Sequence, residues 1–136
     1  MSSNTARQVS SAWRWFFLVA ALYDIVLGAV FVIAGESILT AIGMTLPPHI
    51  AYIQLAAIFI LVQGLSYWLV YRDPLGNLGI VRIGVVYKAA YAGLAAWYLI
   101  LGTLPSVFFI PWAIIDVAFL VGFVLFLRRA AAGGPV

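Results

Sequence analysis

The sequence predicts an all-α fold: a single-domain, integral membrane four-helix antiparallel bundle. Hydrophobic residues make up 66% of the 136 residues, and charged residues only 8%. A soluble domain is typically about 45–50% apolar and about 25% charged. The apolar residues fall into four runs, and a membrane-spanning helix needs roughly 20 of them. Composition therefore argues against a soluble enzyme, a nucleic-acid-binding module, a disordered chain and, since the chain has no Cys, a disulfide scaffold.

The four predicted spans are each long enough to cross a bilayer with some tilt. The predicted segments are a short tail at 1–12, spans at about 13–35, 49–71, 78–101 and 106–127 within a transmembrane domain at 13–129, and a short tail at 130–136.

The first connection, residues 36–48, is predicted to be more than a turn. Ile38, Leu39 and Ile42 are spaced i, i+1 and i+4. This spacing predicts one or two amphipathic turns lying in the membrane interface. Gly43 is expected to end them.

The second connection is a tight turn by composition, with Asp, Pro, Gly and Asn within residues 73–77. The fourth span allows two interpretations. In the favoured one, the helix starts near Ile110, with Pro111 in its first turn and residues 103–109 as an interfacial approach. In the other, Pro111 kinks a longer helix.

Basic residues predict the orientation. The connections at 36–48 and 102–105 contain neither Lys nor Arg. The basic residues near the predicted membrane boundaries are Arg7, Arg14, Arg72, Arg82, Arg128 and Arg129. The positive-inside rule therefore predicts a multi-pass protein of the cell inner membrane with both termini cytoplasmic.

Three ionisable residues, Asp24, Lys88 and Asp116, fall inside predicted spans. Each costs roughly 2.5–3.5 kcal/mol near a helix centre, so a structural or functional reason is expected. Counted from the nearest arginine, Asp24 lies about 15 Å deep, Lys88 about 9 Å and Asp116 about 18 Å. Gln63 lies about 13 Å deep, so each span contributes one polar group to nearly the same layer.

The third span is the richest in small side chains, including Gly84, Ala89, Ala92 and Gly93. Small residues let helices approach closely in lipid. We therefore expect this span to pack centrally or against a partner subunit. Tyr91 lies one turn from Lys88 on the same face and joins the predicted polar layer.

Two carboxylates face one ammonium, so one Asp is expected to lack a cationic partner. Such a group is expected to be protonated, or hydrogen-bonded by Tyr23, Tyr87 or Tyr91. Three roles remain open for Asp24, Lys88 and Asp116: fixing the packing of the bundle, proton coupling or acid–base chemistry, and recognition of a polar group on an apolar ligand.

No metal-ligand spacing, Gly-rich phosphate loop or nucleophile–His signature occurs, so no metal and no cofactor are predicted. His49 is interpreted as a boundary residue. The expected partners are the lipid bilayer, a hydrophobic ligand, and a homo-oligomer or larger membrane complex; nucleic acid is not expected.

The sequence resembles small bacterial four-helix membrane proteins of the broad DoxX-like type. The resemblance covers about residues 13–129. It is carried by the segments 21–28 (ALYDIVLG), 46–48 (LPP), 71–74 (YRDP), 87–91 (YKAAY) and 115–117 (IDV). It implies a four-helix membrane fold and no particular chemistry.

The functional hypothesis is a non-catalytic membrane protein: an accessory subunit of a membrane complex, or a binder of a hydrophobic small molecule with the Asp/Lys layer as its anchor. The alternatives are a proton-coupled small transporter and an intramembrane acid–base enzyme acting on a lipid or isoprenoid-like substrate. If there is catalysis, its residues are Asp24, Lys88 and Asp116. Short loops leave no room for a soluble active site, which favours the non-catalytic hypothesis.

Overall fold

The computed structural model describes residues 8–133 and 136. Within those residues it contains four α-helices and no β-strand, which confirms the predicted all-α bundle. The helices are α1 (Ser11–Ala41), α2 (Ala51–Arg72), α3 (Leu78–Ile100) and α4 (Ser106–Ala131). All four are long and apolar enough to cross a membrane. The chain is thus a small integral membrane protein.

The bundle has two halves, named here by what lies at their ends. The terminal half contains the start of α1, the end of α4 and the α2–α3 turn at 73–77. The loop half contains the connections at 42–50 and 101–105.

Helix α1 is longer than predicted, because it continues for 31 residues to Ala41. Ile38 and Leu39 belong to its last turns and pack inside the loop half, where Leu39 is buried. The prediction of a separate interfacial segment is therefore wrong. Gly43 follows with a φ of 74°, a left-handed conformation that glycine adopts without strain, and the chain leaves the helix there as predicted.

Helix α4 starts before its proline. The amides of Phe108 and Phe109 both donate to the carbonyl of Pro105 at 3.1 Å, so the first turn is already formed when the chain reaches Pro111. The favoured helix start near Ile110 is wrong, and Pro111 lies inside the helix.

Helices α1 and α2 approach so closely that two glycines are required. A Cβ atom at Gly28 would lie 2.6 Å from the backbone nitrogen of Leu61. A Cβ atom at Gly64 would lie 2.6 Å from the backbone nitrogen of Ile25. Backbone-to-backbone contact of this kind is the usual way in which small residues join helices in lipid.

The α2–α3 connection is the predicted tight turn. The Gly76 amide donates to Asp73 Oδ1 at 3.0 Å, and the Asn77 side-chain amide donates to the Asp73 carbonyl at 2.9 Å. These bonds satisfy backbone groups that the short turn would otherwise leave unpaired. The turn holds α2 and α3 side by side at the terminal end.

Helix α3 is the least buried of the four. Ala89 and Gly93 are exposed, and a Cβ built at Gly93 would meet no atom of another described helix within 4 Å. The helix instead contacts the bundle through the face that carries Gly84, Lys88 and Ala95. The prediction of central packing is therefore wrong for this stripe of small residues, and contact with a partner subunit stays a prediction.

The two halves are packed differently. The terminal half contains a cluster of large, fully buried side chains: Phe17, Tyr67, Val70, Val81, Phe123 and Phe126. The loop half has a smaller buried cluster of Phe31, Leu39 and Ala57. Asp24, Lys88 and Asp116 lie where the first cluster ends.

Candidate functional site

The structure brings Asp24, Lys88 and Asp116 together from three helices. The Lys88 Nζ atom lies 3.1 Å from each carboxylate oxygen of Asp24 and 2.7 Å from Asp116 Oδ1. The three residues are buried, with exposures of 1%, 1% and 5% for Asp24, Lys88 and Asp116. We call them the polar triad. It joins α1 to the α3–α4 pair by charge-assisted hydrogen bonds, which are stronger than neutral ones.

Lys88 makes ion pairs with both carboxylates of the triad. An ammonium group has three N–H donors, and three carboxylate oxygens surround this one. Both carboxylates contact the same ammonium, so the expectation that one Asp lacks a cationic contact is wrong. Asp116 Oδ2 has no hydrogen-bond partner in the part of the chain that the structure describes.

Aromatic rings surround the ammonium on its other sides. The Lys88 Nζ atom lies 5.2 to 5.9 Å from the centroids of four rings, those of Tyr23, Tyr67, Tyr87 and Phe119. Ring faces at this distance attract a cation. The triad is thus held in place by ring packing as well as by ion pairs.

The tyrosine hydroxyls do not act as donors to the carboxylates. Among the described residues, Tyr23, Tyr87 and Tyr91 form no hydrogen bond with Asp24 or Asp116. All three tyrosines instead line a cavity. The expected hydrogen bonds are therefore not found there, and Tyr91 belongs to the cavity wall.

The cavity occupies the loop half and has a volume of about 580 Å³. The polar triad lies among its lining residues, and the rest of the wall is almost entirely apolar. All four helices contribute to this wall, for example Leu27, Phe31, Ile53, Ile60, Tyr91, Phe108 and Trp112. Ligand sites in proteins have this size and this combination of apolar walls with a few polar groups.

The cavity reaches the outer surface of the bundle along α2. Tyr52 and Phe59 line it and are nevertheless 67% and 64% exposed. In a bilayer these side chains would meet lipid, so an apolar molecule could enter from the membrane without crossing water.

Gln63, the fifth residue of the predicted polar layer, does not join the triad. No hydrogen bond connects it to Asp24, Lys88 or Asp116, and its buried Nε2 atom has no partner among the described residues. One turn away, the buried Tyr67 hydroxyl is likewise unpartnered. Gln63 and Tyr67 therefore form a separate polar position beside the triad, in the direction of the terminal half.

Sequence reasoning identified the triad but missed the cavity wall. A signal was present in α4, where Phe108, Trp112 and Asp116 recur every four residues. That spacing places them on one helix face. Phe108 and Trp112 both line the cavity beside the buried carboxylate.

No group of three or more His, Cys, Asp or Glu side chains that could hold a metal ion occurs within residues 8–133 and 136. His49, interpreted as a boundary residue, accepts a hydrogen bond from the Ala51 amide through Nδ1 at 3.1 Å. It thereby satisfies a backbone donor at the start of α2.

Comparison of the chain with protein families, with curated proteins and with solved structures finds no match. The resemblance to DoxX-like proteins stays a prediction.

Proposed function

We propose that the protein binds a hydrophobic small molecule within the membrane, in the cavity of the loop half, with the polar triad as its anchor. The cavity is the observation that carries the proposal. Its wall is apolar, and its charged lining residues are Asp24, Lys88 and Asp116. A ligand with an apolar body and one polar group would match both parts.

The cost of the buried charges supports this assignment. A charged side chain near the bilayer centre is expensive and typically has a function. A triad needed only for packing would be sealed by side chains on all sides. Here Asp116 keeps an 8% exposed side chain at the cavity, where a ligand group can contact it.

The alternative functions would use the same triad and have less support. A transporter would need a route through the terminal half, where the cluster of fully buried side chains fills the space between the helices. An acid–base enzyme would need a reactive group that is free to move, and the ammonium of Lys88 is held by three carboxylate oxygens. A role as an accessory subunit would also use the exposed small residues Ala89 and Gly93 of α3, which are not among the residues that line the cavity.

The predicted topology belongs to the same proposal. With both termini in the cytoplasm, the loop half faces the extracytoplasmic side, and the cavity is reached from that leaflet. The charge distribution along the chain supports this orientation.

Blocking the cavity tests the proposal. Ile60 lines the cavity on α2, and Ile58 lies on the same helix, 46% exposed and outside the cavity wall. An Ile60→Trp variant fills cavity volume, so we expect it to lose a co-purified apolar molecule, or to bind one about tenfold or more weakly. This corresponds to about 1.4 kcal/mol. The matched control Ile58→Trp adds the same ring on the lipid side and is expected to bind as the wild type does.

The measurement is native mass spectrometry of protein purified in an uncharged maltoside detergent, followed by extraction and identification of any bound molecule. Equal retention by the two tryptophan variants would show that the molecule is surface lipid and would contradict the proposal. A wild-type protein that carries no molecule and takes up none from added apolar amphiphiles would also contradict it.

A further inference from the structure

We infer that the polar group of the ligand is a cation: the cavity takes a hydrophobic amine, with an apolar body against the wall and a protonated nitrogen beside Asp116. The inference rests on the proposed binding function and narrows it to one class of ligand. Three features of the cavity support it: the charge of the triad, its hydrogen-bonding capacity and the aromatic residues near Asp116.

The first feature is charge. With all three groups ionised, two carboxylates and one ammonium leave the triad with one excess negative charge. Asp24, Lys88 and Asp116 are the charged residues that line the cavity, so no further cation among the described lining residues balances that excess. In a low-dielectric site an unbalanced charge is costly. It is relieved by a proton on one carboxyl group in the empty site, as the sequence predicts, or by a bound cation that replaces this proton. A cationic ligand would neutralise the site, whereas an anionic one would double its charge.

The second feature is that the hydrogen-bonding group left without a partner is an acceptor and not a donor. Lys88 pairs with both carboxylates, and Asp24 contacts the ammonium through both of its oxygens. What remains at the base of the cavity is an acceptor, Asp116 Oδ2, on a residue that is 5% exposed. A carboxylate or phosphate head would meet the two carboxylates of the triad and would be repelled by their charge. A protonated amine supplies the donor that this oxygen lacks.

The third feature is the aromatic environment. Trp112 lies one turn from Asp116 on α4, and its ring centroid is 6.1 Å from that of Tyr23. Phe108 follows one turn further, with its centroid 6.4 Å from that of Trp112. Aromatic rings next to a carboxylate are the usual surroundings of bound ammonium groups, because ring faces attract cations.

The test uses three probes that share one apolar body and differ in the polar group: adamantylmethylamine, adamantylmethanol and adamantane carboxylate. Binding to the protein in uncharged maltoside micelles is measured by equilibrium dialysis, and binding to empty micelles is subtracted. We expect the amine to bind at least about tenfold more tightly than the alcohol, and the carboxylate to bind most weakly.

Asp116→Asn tests the residue. Asparagine keeps the size of the side chain and an oxygen that accepts from Lys88, but it removes the charge. We expect the variant to bind the amine no more tightly than it binds the alcohol. Asp73→Asn is the matched control, since it removes the same charge from an exposed turn in the terminal half and is expected to leave all three affinities unchanged.

The outcomes separate the two proposals. Equal binding of the three probes, or a preference for the carboxylate, would overturn the inference and leave the proposed binding function standing. If the Asp116→Asn variant still prefers the amine, Asp116 does not bind the ligand nitrogen, and the inference is wrong. If no probe binds and the Ile60→Trp variant retains its bound lipid, both the inference and the proposed function fail.

Discussion

The terminal and loop halves of the bundle are built from the same four helices and differ in what fills the space between them. In the terminal half, Phe17 and Phe123 stack with centroids 5.7 Å apart, and Phe126 contacts Phe17 edge-on at 4.8 Å. In the loop half, the equivalent space is a cavity of about 580 Å³. The polar triad lies between the two.

This difference indicates a division of roles. Lipid tails are as apolar as leucine, so helices in a membrane associate through close packing and hydrogen bonds and gain little from the hydrophobic effect. The aromatic cluster and the glycine contacts of α1 and α2 supply that packing. The loop half can therefore stay open, because the rest of the molecule holds the helices together.

The largest effect is expected from Lys88→Met, which tests whether the triad belongs to the packed half as well as to the cavity. The substitution leaves two buried carboxylates facing each other, and breaking a buried ion pair costs about 3–5 kcal/mol of unfolding free energy. Unfolding in mixed micelles with increasing dodecyl sulfate measures the loss. The triple variant Asp24→Asn, Lys88→Met, Asp116→Asn removes all three charges and is expected to recover much of the stability. Wild-type stability in the single variant would show that the triad serves the cavity alone.

A direct comparison of the halves comes from truncating one phenylalanine in each. Phe123→Ala opens a void among fully buried side chains and is expected to cost about 3 kcal/mol. Phe108→Ala only enlarges a space that is already open, so we expect a loss below about 1 kcal/mol, because the cost depends on the void that is created. The same unfolding assay applies. Equal losses would mean that the loop half is as tightly packed as the terminal half when the protein is in a membrane.

A smaller effect is expected at the helix contacts. Gly28→Ala places a methyl group 2.6 Å from the Leu61 nitrogen, and such overpacking costs about 1–3 kcal/mol. Gly93→Ala is the control on α3, where no atom lies within 4 Å. It should be neutral, or stabilising by up to about 1 kcal/mol through helix propensity. Destabilisation by Gly93→Ala would indicate that this exposed face contacts a second subunit.

The fold and the triad were predictable because both depend on strong, local signals. Four long apolar runs leave few alternatives to four spanning helices. Charges inside such runs are rare and tend to meet, so Asp24, Lys88 and Asp116 could be assigned to one cluster before the structure was known.

The packing of the helix faces was not predictable for the opposite reason. A soluble helix shows its buried face by a polar side, but a membrane helix is apolar all round. Phe123 and Phe59 are both phenylalanines in apolar helices. The sequence therefore does not show that Phe123 is fully buried and that Phe59 is 64% exposed. The small residues of α3 were misleading for the same reason, since a Cβ at Gly84 would lie 2.8 Å from the Tyr67 hydroxyl, whereas a Cβ at Gly93 would meet no atom of another described helix within 4 Å. The cavity depends on which side chains face the inside of the bundle, so it could not be predicted.

The positions of the triad residues along the chain have a consequence for biosynthesis. Lys88 and Asp116 belong to the α3–α4 hairpin, whereas Asp24 belongs to α1. The second hairpin can enter the membrane as a neutral unit, because its ammonium and its carboxylate pair within it. The first hairpin enters with one carboxylate that has no counter-ion until α3 arrives. Docking of the two hairpins therefore gives Asp24 the contact with the ammonium that it lacks in the first hairpin, which favours the assembled bundle over the separate hairpins once the last helix is inserted.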